Sequence, residues 1–160
     1  MSPLRVVLCV DGAAPDELLD AAVPLLPEQV VWVPTHVVDA RARRDLGFLR
    51  GGITGAGPLS RAQQQAIDAA TAEHTRAILD AADASLRRRG LQLDPPQIRV
   101  GEPGREICAV AAAVSAGLVV LFASRRPRAV SGPGSVGHTA RFVLDHAPCP
   151  VLLVRAGHMI

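Results

Sequence analysis

Short, continuously apolar runs alternate along this chain with stretches whose apolar residues recur every three or four positions. The first kind reads as buried strands and the second as amphipathic helices. RVVLCV, residues 5–10, is rich in β-branched residues and ends at Asp11-Gly12, which predicts a first strand. APDELLDAA then places Pro15 at a first helical position with Asp16 and Glu17 in the first turn, a helix that Pro24 kinks or ends. Residues 30–39, VVWVPTHVVD, predict a second strand in which Pro34 demands a bulge or an unpaired amide. Ser60 and Gln63 form a capping-box pattern. Ile67, Ala70, His74, Ala77, Ile78 and Ala81 then mark the inward stripe of a long helix closed by Gly90, with His74 read as a partly buried core histidine. A third strand at 96–100, a third helix at 103–116, a continuously apolar and therefore central strand at 118–123, a last helix at 137–146 and a strand at 149–154 complete the order. Alternating β and α elements call for a parallel sheet with right-handed crossovers and helices on both faces. The expectation is α/β, with residues 1–160 as one domain and a mobile excursion of arginine and glycine at 40–59.

Composition narrows what such a sheet can do. All 17 basic residues are Arg, which excludes mechanisms built on a phosphate-loop lysine or a Schiff-base lysine. A net charge of +2 and the near absence of aromatic residues argue against nucleic acid as a partner. No apolar run reaches the roughly 18 residues of a membrane span, and the start MSPLRVVLCVDG lacks the pattern of a signal peptide, so a soluble cytoplasmic protein that does not engage membranes is expected. Cys9, Cys108 and Cys149 are too far apart for a zinc knuckle and read as core residues.

In an open doubly wound sheet, ligands bind beyond the carboxyl ends of the strands. That directs attention to Asp11 and Gly12, to His36 through Asp39, and to Ala123 through Arg128. Helix starts attract anions unless a carboxylate already sits there. The first helix carries Asp16 and Glu17, the second is capped by Ser60 and the third carries Glu106. Only the fourth is open: no acidic residue lies between Glu106 and Asp145, while Arg125, Arg126, Arg128 and Arg141 bring positive charge. Ser135, His138 and Asp145 do not make a hydrolytic triad, because no strand-turn-helix elbow precedes Ser135. His36, Asp39 and His138 lack the short-spaced pair of a metal site.

RVVLCVDG, VPTHVVD, VGEPGREICAVAAAVSAGLVVLFASR and VGHTARFVLDHAPCPVLLVR resemble, in that order and over essentially the whole chain, a universal stress protein domain. The resemblance implies a doubly wound five-stranded parallel sheet of order 3-2-1-4-5. It also implies a phosphate motif of Gly, two residues, Gly, nine residues, then Gly-Ser or Gly-Thr. Here Ala123 and Arg126 stand at the two glycines, and the closing pair falls either at Gly137-His138 or at Gly134-Ser135. Asp11 matches the aspartate that contacts adenosine, and Val37 the apolar wall beside the base. The implied nucleotide-binding set is Val10, Asp11, Gly12, Val37, Ala123, Ser124, Arg126, Gly134, Ser135, Gly137, His138 and Thr139, holding ATP or another adenine nucleotide, with Mg as its companion. The expected function is that of a nucleotide-responsive signalling module in stress response, with no turnover of its own. The alternative is a nucleotide-free interaction module regulating a partner. A homodimer through strand 149–154 is expected on either reading, since an apolar edge strand is a liability for a monomer.

Overall fold

Val6 and Leu8 of the first strand, β1 (Leu4–Cys9), face one core layer, and Val7 and Cys9 face another. A strand apolar on both sides needs cover on both sides. The computed structural model, which describes residues 2–12, 15–41, 59–123 and 136–156, supplies it. After β1 come α1 (Pro15–Ala22), a 3-10 turn at Val23–Leu25, β2 (Val30–Asp39) and α2 (Arg61–Arg88). They are followed by β3 (Gln92–Leu93), β4 (Gln97–Gly101), α3 (Pro103–Ala113), β5 (Leu118–Phe122), α4 (His138–His146) and β6 (Val151–Val154). α1 and α2 pack Leu18, Leu19, Leu79 and Leu86 around Trp32 on one face. α3 and α4 bring Ile107, Val110 and Val143 to the other.

Every strand pair is parallel. β2, β1, β5 and β6 follow one another across the sheet, and β3 and β4 both pair the outer side of β2. Taken as one interrupted strand, β3 and β4 restore the 3-2-1-4-5 order. The interruption, which makes six strands of the expected five, has its cause in proline. Thr35 O accepts from Val10 N on the β1 side, and Trp32 O accepts from Asp94 N at 2.8 Å on the other. Alternation therefore turns the amide position of Pro34 toward β3 and β4, where it has nothing to donate. Pro95 and Pro96 oppose it, likewise without amides. The register runs from Trp32↔Leu93 to Thr35↔Gln97, so the extra residue, a bulge, sits in the neighbouring strand rather than in β2.

α2 starts with both halves of the capping box in place, Ser60 N donating to Gln63 Oε1 at 2.9 Å and Gln63 N to Ser60 Oγ at 3.2 Å. Its inward face differs from the expected stripe. Thr75, Ile78, Leu79, Ala82, Ser85 and Leu86 are buried, whereas Ala70, His74, Ala77 and Ala81 are exposed. In a helix this rich in alanine, period survives but phase is weak. The small polar residues Thr75 and Ser85 occupy positions that hydropathy assigns to solvent. Burial begins only at Thr75, because Ile78 and His74 already stand level with Gly12, at the end of β1. At 1.5 Å per residue the helix is about 42 Å long against about 20 Å for β1, so its first half rises past that strand.

A polar clamp joins the start of α1 to the end of α2. Asp16 accepts from the Ser85 hydroxyl and from Arg89, with Arg88 at 3.3 Å, and Arg89 also donates to Asp20 at 2.6 Å. The Ser85 hydrogen bond, and then Arg89, hold the Asp16 carboxyl below its ordinary value. Among the described residues, no helix is long and apolar enough to cross a membrane.

Candidate functional site

The chain winds outward from β1 to β2 and then returns to place β5 on the other side of β1, so the winding reverses at the ends of β1 and β5, the position at which open sheets of this kind take ligands. A cavity of about 270 Å³ lies there. Val10 and Asp11 leave β1 into its wall, His36 and Val37 come from β2, Pro103 from the start of α3 and Thr139 from the first turn of α4. Val37 and Leu121 give it an apolar side suited to a planar ring, and Asp11 gives it a carboxylate.

Two helix starts meet at this cavity, and they differ. α3 is closed by its own Glu102, whose carboxylate accepts from Gly104 N at 3.3 Å and Arg105 N at 3.1 Å. α4 begins at Gly137 with no side-chain cap and no acidic residue in its first turn. Gly137 has φ +81° and ψ 160°, a conformation that is essentially glycine's alone. Gly12 likewise turns at φ +96°, and a β-carbon there would meet Ile78 Cδ1 at 3.7 Å and His74 Nε2 at 3.9 Å. His74 thus stands beside the turn at Gly12, and neither residue lines the cavity.

His36 is buried and its Nδ1 lies 2.7 Å from Val10 O. A carbonyl oxygen only accepts, so Nδ1 carries the proton. Cys9, below the crevice, is no nucleophile: burial pushes its thiol pKa far up, with Asp11 and Cys108 adding to the shift. Cys108 and Cys149 are half-buried against the α3–α4 layer, and burial raises both. Among the described residues, no three His, Cys, Asp or Glu side chains gather into a metal site.

Of the residues singled out in the sequence, Val10, Asp11, Val37 and Thr139 line the cavity, and Gly137 and His138 form the helix start beside it. Ala123 is buried at the end of β5 with its amide on Val154 O at 2.8 Å, and it is not part of the lining. Ser124, Arg126, Gly134 and Ser135 lie outside the described residues, as do Arg125, Arg128 and residues 42–58 of the 40–59 excursion. Cys9, Thr35, His36, Asp39, Pro103, Ile107, Leu121 and Phe122 also line it and were left out of the binding set, although His36 and Asp39 had been singled out by their place beyond the second strand. A larger groove of about 460 Å³ runs between α2 and β4 over Val38, Leu79, Ile98 and Val100. Its rim, Asp68, Arg76 and Asp80, is of mixed sign, and no helix start opens into it.

A model of the universal stress protein family matches residues 4–155. No curated protein matches the chain significantly. Among solved structures the chain is similar to hypothetical protein MJ0577, at 14% identity and a TM-score of 0.70, with 99% of this chain and 100% of that one covered. It is also similar to a universal stress protein from Archaeoglobus fulgidus in complex with dAMP, at 19% identity and a TM-score of 0.58, covering 96% and 99%. A universal stress protein family protein from Arabidopsis thaliana with AMP bound is 15% identical, with a TM-score of 0.63 and 98% and 94% covered. At these identities the likeness is one of fold.

Proposed function

Because the chain belongs to the universal stress protein family, we propose that it binds an adenine nucleotide in the crevice between β1 and β5 and acts as a nucleotide-responsive module in stress response. The observation that carries this reading is the bare start of α4 beside an apolar wall and a carboxylate in one cavity. The amides and the positive end of the helix suit a phosphate, Val37 suits the base, and the Asp11 carboxylate suits a ribose hydroxyl or a base amine that donates to it. Two fold relatives carry dAMP and AMP, which supports the class of ligand. Arg126 and its neighbours would then hold any further phosphate, and Mg would accompany it.

The role is one of binding rather than turnover. The chain has no lysine with which to neutralise a transferring phosphoryl group in the usual way. β6, which pairs only with β5 among the described residues, offers an open edge for a homodimer. Val151, Leu152 and Leu153 are half-buried there and would be covered by a second copy. Titrating AMP and ATP into the protein by calorimetry tests the reading. Binding that weakens at least tenfold in Asp11→Ala, with unchanged thermal stability, is the expected result. No heat from the parent protein at millimolar nucleotide would replace it with a nucleotide-free interaction module. Light scattering at about 100 μM checks the dimer, which Leu152→Pro should disrupt more than nucleotide binding.

A further inference from the structure

We propose that His36 is a positioning residue: by holding the Val10 carbonyl through Nδ1–H, it ends the β1–β2 ladder and sets the main chain of Asp11 and Gly12 at the cavity mouth. Registered pairs between the two strands stop at Cys9↔Thr35. Val10 N still donates to Thr35 O at 2.9 Å, as the next rung requires. The other half of that rung would be an amide of β2, that of Val37, reaching the Val10 carbonyl. The imidazole takes this carbonyl instead, at 2.7 Å, from inside the protein. A side chain is a longer arm than a backbone amide, so β2 runs on beside β4 to Asp39 while β1 is released from it. Where the two strands part, Val10, Asp11 and Val37 all reach the cavity.

Val10 is therefore gripped at both its amide and its carbonyl, and the chain turns immediately beyond it, at Gly12 with φ +96°. The direction in which Asp11 leaves β1 depends on this grip. That Asp11 meets a ligand rests on the function proposed above; the grip on the strand end does not. The bond also fixes the tautomer, since the proton on Nδ1 leaves Nε2 of the neutral ring without one.

Asparagine and glutamine separate the two ring nitrogens. The amide of His36→Asn can reach where Nδ1 stands, whereas that of His36→Gln reaches toward Nε2. In the ligand-free full chain, amide exchange at Asp11 and Gly12 should stay near the parent rate in His36→Asn and rise about tenfold in His36→Gln and His36→Ala. AMP affinity should follow the same order, falling by less than about threefold in the first and by about tenfold in the others. Equal exchange in the asparagine and glutamine variants would overturn the proposal. If exchange behaves as expected but neither parent nor variant binds AMP, the positioning role stands and the nucleotide reading falls. A test that needs no variant is the imidazole nitrogen spectrum of the parent protein at neutral pH, which should show the proton on Nδ1. The ordinary Nε2–H form would sink the idea.

Discussion

The starts of α3 and α4 border the same cavity, one plugged by a glutamate and the other without a side-chain cap among the described residues. At α3 the local sequence finishes the helix by itself: Glu102 precedes Pro103, and its carboxylate turns back onto the first free amides. At α4 the sequence withholds both a capping side chain and an acidic first turn, and uses glycine in a conformation other residues avoid. The first arrangement serves stability and the second gives it up at the place where an anion would restore it. On the proposed reading, the contrast makes α4, rather than the crevice as a whole, the feature that would take the anion.

Making α4 resemble α3 should have the largest effect. Thr139→Asp puts a carboxylate into the first turn of α4, inside the cavity, and should reduce AMP affinity more than tenfold by calorimetry while leaving the thermal midpoint equal or higher. An unchanged affinity would mean that the bare start is incidental. The converse change is smaller: Glu102→Ala should cost about 1 kcal/mol in urea unfolding, the ordinary value of a lost cap, with AMP affinity shifting less than about threefold.

The clamp at α1 offers a control away from the cavity. Asp16 has its folded pKa below its unfolded value of 3.8, so its contribution to stability is present above that value and is lost as pH falls through the folded one. Asp16→Asn should therefore be less stable than the parent at neutral pH, and the gap in urea midpoints should shrink as pH drops below 3.8. A gap that stays constant with pH would mean that the clamp does not depend on the ionised carboxylate. Arg87→Ala should do least. Its pairing with Asp83 at 2.7 Å is an exposed contact along one helix, and no change in midpoint or affinity should be measurable.

What the sequence announced and what it hid divide along the range of the interactions. Strands β1 and β5 declared themselves through apolar runs, β2 through its β-branched residues on either side of Pro34, α2 through its capping box, and the open start of α4 through the missing carboxylate, all of them local signals. The split of the third strand required knowing that Pro34 faces Pro95 and Pro96 across a rung, which is a fact about registration. The phase of α2 went wrong because alanines fit either face, and because Thr75 and Ser85 are buried by partners far away in the chain, Ser85 by Asp16. Asp11, Val37 and Thr139 were legible as cavity residues, and His36 as a residue at the strand end, but its bond was not. Its role lies in a bond to a carbonyl 26 residues earlier, and no pattern along the chain encodes that distance.

The reach of α2 past β1 has a consequence for how the molecule comes apart. From Thr75 onward the helix is fastened by Ile78, Leu79, Ala82 and Leu86 to the sheet and by Ser85 and Arg89 to α1, so melting that half means melting the domain. Residues 61–73 hold no fully buried side chain: Ile67, Asp68 and Thr71 are half-buried, and the rest of the stretch relies on its capping box and on alanine's preference for helix. A helical stretch of that length is marginal in water by itself. One continuous helix, with neither glycine nor proline inside it, thus contains a boundary between two cooperative units. The upper unit can open and close many times within the lifetime of the folded sheet.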